Sequence, residues 1–196
     1  MKSKGPAEII AASLSQALHL KKVFLKETKT QTIQQVAELL TKHLRRGQKV
    51  LLCGNGGSAA DCQHWAGEMV GRFRKKRPAL PFLALTTNTS VLTSIGNDES
   101  FEDVFARQVE AIGNPDDILV CISTSGGSAN VLQAARKAKE KGLTIISLTG
   151  QTPNPLANLS DICLSVPSTD TPRIQEIHIL LIHILCDLVE SALNPR

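Results

Sequence analysis

Tyrosine is absent from this 196-residue chain, and the other aromatics amount to five Phe and one Trp. Sequence-tolerant binding of single-stranded nucleic acid relies on aromatic stacking platforms, so that class is disfavoured. A dominant charge is lacking too. Lys and Arg number 22 against 18 Asp and Glu, a net charge of +4, which is too mild for a nucleic-acid footprint. No run of eighteen apolar residues exists, so no segment reads as a membrane span. The five cysteines, Cys53, Cys62, Cys121, Cys163 and Cys186, form no C-x-x-C pair, and neither metal-type spacing nor a disulfide framework follows from them. The first ten residues carry no signal-type apolar core. These absences predict a soluble protein of a reducing compartment, the cytoplasm.

What is present is material for one core. Apolar residues make up 42% of the chain and charged residues 20%, and the length fits one domain of roughly 100–200 residues. Five apolar runs stand out, at 49–54 (KVLLCG), 81–87 (PFLALTT), 117–124 (DILVCIST), 144–150 (TIISLTG) and 162–167 (ICLSVP). Each is apolar on both faces, as in strands of a parallel sheet covered on both sides. Helical patterns at 58–75, 100–112 and 128–141 separate the first four, and that alternation implies crossover connections. The predicted class is α/β. Two helices, 7–25 and 32–46, precede the first strand. The division is a helical part at 5–47, a sheet core at 48–168 and a closing helix at 172–194. That last helix, IQEIHILLIHILCDLVESAL, is apolar nearly all round, which predicts burial on most sides. Another subunit is its simplest cover, so a homo-oligomer is expected.

Two loops carry the chemistry. The first strand runs into Asn55, Gly56, Gly57 and Ser58, where glycines admit a ligand to the backbone and a helix N-terminus favours an anion. Ser58 and Asp61 read as a capping pair. The third strand ends in Ser123, Thr124 and Ser125, then Gly126, Gly127 and Ser128, placing four hydroxyls at the sheet edge where open parallel sheets bind ligands. Hydroxyls and free N–H groups suit a phosphate. The sequence has no G-x-x-x-x-G-K-[ST] and no G-x-G-x-x-G, so the phosphate is expected on something other than a nucleotide, such as a sugar. Beyond the first loop, His64 and Glu68 share one helix face and suit metal ligation or acid–base work. The closing helix adds Gln175, His178 and His183. Gln175 and His183 are eight residues apart, about 12 Å on a straight helix, so one metal takes both only if Gln175 precedes the regular helix or the two act from different subunits. Asn97 and Asp98 read as a turn between helical segments, able to bond sugar hydroxyls. The basic cluster at 72–77 reads mainly as a solvated helix end.

Taken in order, CGNGGS, HWAGEM, SIGND, ISTSGGSANV, LTG and RIQEIHILLIHIL resemble the bacterial phosphoheptose isomerases, built on the sugar-isomerase (SIS) domain. The resemblance covers about 30–190. It implies a flavodoxin-like three-layer sandwich with a five-stranded parallel sheet, and isomerisation of sedoheptulose 7-phosphate to D-glycero-D-manno-heptose 7-phosphate for surface-polysaccharide heptose. It also implies a homotetramer with sites between subunits, and one zinc per subunit on His64, Glu68, Gln175 and His183. Substrate-binding positions fall on Asn55, Gly56, Gly57, Ser58, Glu68, Asn97, Asp98, Ser123, Thr124, Ser125, Ser128 and Gln175. Glu68 is the expected base and His183 the expected acid. Two departures stand out: Thr171 and Pro172 replace an Ala-Asp pair, and SGGS replaces SGNS. The alternative within this fold is a non-catalytic adaptor that binds the replication initiator.

Overall fold

A computed structural model describes residues 5–27 and 30–194; of the ten positions first read for a leader, 1–4 lie outside the described residues, as do the last two positions of the predicted domain. Five parallel strands form one sheet, β1 (Val50–Gly54), β2 (Phe82–Ala84), β3 (Ile118–Ser123), β4 (Thr144–Thr149) and β5 (Ile162–Ser165), in the order β2-β1-β3-β4-β5. This is the flavodoxin-like order, whose switch point lies between β1 and β3. The helices are α1 (Pro6–Glu27), α2 (Thr30–Arg45), α3 (Gly57–Val70), α4 (Thr89–Asp98), α5 (Ala106–Ile112), α6 (Ala129–Glu140), α7 (Pro155–Leu159) and α8 (Thr171–Leu193).

The continuous apolar runs follow from burial on both faces. Along β1 and β3, Val50, Leu52, Val120 and Ile122 point into one cluster, with Leu40 of α2, Trp65 of α3 and Leu181 of α8. The alternate residues Leu51, Cys53, Leu119 and Cys121 point into the other, with Val109 of α5 and Val131 and Ala134 of α6. Side chains alternate between faces along a strand, so the sheet becomes the middle of three layers. Cys53 and Cys121 are register partners and serve as buried packing. Among the described residues no helix is long and apolar enough to cross a membrane.

Several boundaries differ from the sequence reading. The helix predicted over 58–75 stops at Val70, where Gly71 N–H closes onto Gly67 O. Its N-cap is Gly56, without a side-chain cap, so the Ser58–Asp61 capping pair does not form. The second strand shrinks to three residues. The pattern at 100–112 divides into a 3-10 turn, Phe101–Asp103, and α5. Asn97 and Asp98 are the last turn of α4, not a turn between helices. The five-residue α7, capped by Asn154, has no counterpart in the sequence pattern.

The two histidines of α8 part company. His178 is fully buried and its Nε2 donates to Thr149 O at 3.2 Å. Burial lowers its pKa from 6.5 to about 4, against the opposing Thr149 bond. The unfolded chain therefore takes up this proton before the folded chain does. Stability is complete above about pH 6.5 and is lost as the pH falls towards about 4. The loss across that window is about 3 kcal/mol. The urea midpoint is expected to fall between about pH 7.5 and about pH 5, and to fall less in His178→Gln. Equal falls in both proteins would overturn the assignment.

Candidate active site

Both loops lie at the carboxyl ends of β1 and β3, on either side of the switch point, where open α/β sheets bind ligands. A reciprocal amide pair ties them together. Asn55 Nδ2 donates to Asn130 Oδ1 at 2.8 Å and Asn130 Nδ2 donates to Asn55 Oδ1 at 2.9 Å. Asn130, in the first turn of α6, is buried. The sequence reading passed over it, because an Asn inside a helix gives no signal until its partner across the sheet is known.

Helix geometry leaves the Gly57 and Ser58 N–H groups at the start of α3 without a partner in a preceding turn, whereas Ala59 and Ala60 N–H donate to the Asn55 and Gly56 carbonyls. Gly56 and Gly57 are exposed, whereas Ser58 is buried against Gly54. A Cβ on Gly57 would lie 2.3 Å from Gln175 Nε2, so the Gln175 amide packs directly on the loop backbone. In the second loop Ser123 Oγ lies 3.1 Å from Ser128 Oγ and accepts from Gly126 N–H at 3.2 Å. Gly127 N–H donates to Ser125 Oγ. Gly126 has φ 64°, and a Cβ there would meet Asn154 Oδ1 at 2.1 Å, so this turn requires glycine. Thr124 is anchored through its carbonyl, which accepts from Gly150 N–H at 3.0 Å.

Two turns along α3, His64 Nε2 lies 2.9 Å from His183 Nε2 of α8 and 3.4 Å from Glu68 Oε1. The helices run side by side in the same direction, with Gly57 beside Gln175 and His64 beside His183. The Glu68 side chain is 25% exposed. One turn before His64, Asp61 Oδ2 is buried without a hydrogen-bond partner. Burial raises the Asp61 pKa to about 6, with His64 pulling the other way. The capping signature had hidden this carboxyl.

These donors suit zinc in kind and spacing. Bonds of about 2.0–2.1 Å to N and O donors in a tetrahedral site set donors roughly 3.3 Å apart, and the two measured separations bracket that value. Gln175 lies within the regular helix, which removes the first of its two readings. Among the described residues no hydrogen bond joins it to His64, Glu68 or His183, and no three His, Cys, Asp or Glu side chains form a complete metal group within one chain. One subunit thus sets His64 beside His183 and beside Glu68, short of a complete metal group, and leaves Gln175 against the first loop.

Asn97 and Asp98 stand apart. Asp98 lines a cavity of about 810 Å³ between α4 and α5, with Asn88, Ser94 and Arg107, and neither phosphate loop contributes to it. No residue of α4 is buried.

The SIS domain family model matches residues 14–150. The phosphoheptose isomerase of Rhodospirillum rubrum is 55% identical over 161 residues, 82% of this chain and 86% of that protein. That of Clostridium acetobutylicum is 51% identical over 185 residues, 94% of each. The solved structure of phosphoheptose isomerase from Neisseria gonorrhoeae superposes with a TM-score of 0.90 at 45% identity, over 95% of this chain and all of that one. The fold, the paired loops at the switch point and these relatives agree, and the chain belongs to the phosphoheptose isomerase family of SIS-domain proteins.

Proposed function

We infer that the chain is an aldose–ketose isomerase that converts sedoheptulose 7-phosphate to D-glycero-D-manno-heptose 7-phosphate, supplying heptose for surface polysaccharide in the cytoplasm. The observation that carries the reading is that His64 and Glu68, on the helix that begins at the first loop, meet His183 of α8 through His64. The phosphate sits among the α3 N–H groups and the hydroxyls of Ser123, Thr124, Ser125 and Ser128. Its charge is met by donors and the helix dipole. Holding the sugar by its phosphate sets the far end of the chain at a fixed reach along α3, where Glu68 and His183 stand.

Glu68 removes a proton from the hydroxyl-bearing carbon beside the carbonyl, giving an enediolate. The neighbouring hydroxyl passes its proton to the former carbonyl oxygen, and His183 returns a proton to the former carbonyl carbon, leaving the new aldehyde. Glu68 turns Oε1 towards His64, leaving its second oxygen for the proton. Zinc, for which His64, Glu68, Gln175 and His183 are the proposed donors with more than one subunit contributing, would polarise the carbonyl oxygen and offset charge on the enediolate.

A homotetramer completes this picture. Leu180, Ile184 and Leu188 form an exposed stripe on α8, and Ile9, Ile10, Leu14 and Leu18 form another on α1. Sites between subunits account for Gln175 standing away from the histidines and for α4 presenting Asn97 and Asp98 with nothing packed over them. The contact of His64 with both Glu68 and His183 favours the enzyme over the initiator-binding adaptor, which needs neither.

A coupled assay on sedoheptulose 7-phosphate with and without chelator tests the reading. Turnover is expected, with loss on chelation and recovery on adding zinc. No turnover under either condition refutes it, and turnover indifferent to chelator removes zinc from it.

A further inference from the structure

The connection between α3 and β2, residues 71–81, has no regular structure, yet it is organised around one buried carboxylate. Glu190, in the last turns of α8, accepts from Phe73 N–H at 3.2 Å, Arg74 N–H at 2.8 Å and Lys75 N–H at 2.8 Å. Successive N–H groups converging on one anion make a backbone nest. Arg77 closes it, its Nε donating to Glu190 Oε1 at 3.1 Å with both side chains 1% exposed.

The remaining guanidinium donors reach back to the end of α3. Arg77 Nη2 donates to Glu68 O at 2.8 Å, and Nη1 donates to Met69 O at 2.8 Å and to Pro78 O at 3.0 Å. The Glu68 and Met69 carbonyls are ones that a helix end leaves without a helical partner. A planar fork can satisfy several acceptors at fixed angles, which a lysine ammonium cannot. The same loop lays the Phe73 ring on His183, with centroids 5.6 Å apart and planes 27° apart, while His64 lies on the imidazole from another direction at 5.1 Å and 60°.

One buried ion pair therefore touches both halves of the acid–base couple. Through Arg77 it holds the backbone of Glu68, and through the Glu190 nest it fixes the loop whose Phe73 sets the plane of His183. We infer that Arg77, Glu190 and Phe73 are positioning residues for isomerisation, clamping Glu68 and His183 in register across α3 and α8. The inference rests on the reading of Glu68 and His183 as base and acid. None of the three touches the reacting carbons; they act by holding groups that do.

The test uses Arg77→Lys, which keeps the charge beside Glu190 and loses the fork, and Phe73→Leu, which keeps bulk and loses the stacked face. Displacing a catalytic group by a fraction of an ångström lowers the chemical step more than binding, so kcat is expected to fall about tenfold in each folded oligomer. KM is expected to stay within roughly threefold. The ring C–H signal of His183, assigned with His183→Gln, is expected to move in Arg77→Lys although residue 77 does not contact that ring. Wild-type kcat with an unmoved His183 signal overturns the clamp. A fall in kcat that only tracks loss of folded protein, with the signal unmoved, marks a purely structural role and overturns it as well. Glu68→Gln and His183→Gln are assayed alongside: if they turn over like wild type, the acid–base reading fails, whereas if they are inactive and the clamp variants are not, only the clamp fails. Should one clamp variant not fold, the other carries the test.

Discussion

Glu68→Gln is expected to fold like the wild type and to lose between about a hundredfold and ten-thousandfold in kcat, the range for removing a positioned acid or base. The side chain is three-quarters buried and touches His64 through Oε1. Gln preserves volume and offers an oxygen in the same place, so packing and the His64 contact survive while the proton acceptor is gone. Circular dichroism and the thermal midpoint check the fold, and the coupled assay reads kcat. Bound zinc, measured in the same sample, separates the two roles of the residue: metal retained with turnover lost marks the base, and metal lost marks the ligand. Wild-type turnover in a folded variant refutes the assignment.

The second large effect is on stability. Arg77→Met leaves Glu190 with its backbone donors but without the cation, in a site that admits almost no solvent. Removing one partner of a buried pair costs about 3–5 kcal/mol. In the native protein burial raises the Glu190 pKa, but the N–H groups of Arg74, Lys75 and Phe73 and the Arg77 charge outweigh it and hold the carboxyl below its ordinary value. A carboxyl so depressed contributes stability above its unfolded pKa and loses it as the pH falls through the folded one. The urea midpoint of Arg77→Met should therefore drop most near neutral pH. Adding Glu190→Leu should recover part of the loss, because an apolar replacement of the whole pair is often neutral. A double variant less stable than Arg77→Met would contradict this account.

The sheet was legible because β1, β3 and β4 are buried on both faces. Their apolar runs admit no other reading, and Asn-Gly-Gly-Ser and Ser-Gly-Gly-Ser mark where they end. The Gly- and Ser-rich loops that follow β1 and β3 were legible as loops for the same reason. Other elements had no periodicity to read. The apolar face of α4 is only Val91, Leu92 and Ile95, half-buried at the edge of the core, and α7 is too short to show one. Arg77 sits in a run of basic residues that looks like a solvated helix end. Only the fold reveals that this one arginine is 1% exposed and meets a glutamate 113 residues away. Asp61 was legible as a residue and misread as a role, since Ser-x-x-Asp at a helix start is a good cap signature and Gly56 takes that place instead. Gln175 and His183 posed a spacing problem that the sequence stated correctly: the helix is regular through both, so the spacing is real.

The amide pair between Asn55 and Asn130 bears on how the protein ages. Asn55 precedes Gly56, and Asn-Gly is the dipeptide in which an unhindered backbone nitrogen most readily attacks the side-chain carbonyl and expels ammonia. Here that side chain is held at both its nitrogen and its oxygen by a buried neighbour. Losing the ammonia would replace a donor with a carboxylate facing Asn130 Oδ1 and set a negative charge between the loops that follow β1 and β3. The bond that aligns the two loops is thus also a guard on the chemical lifetime of the Asn55–Gly56 turn.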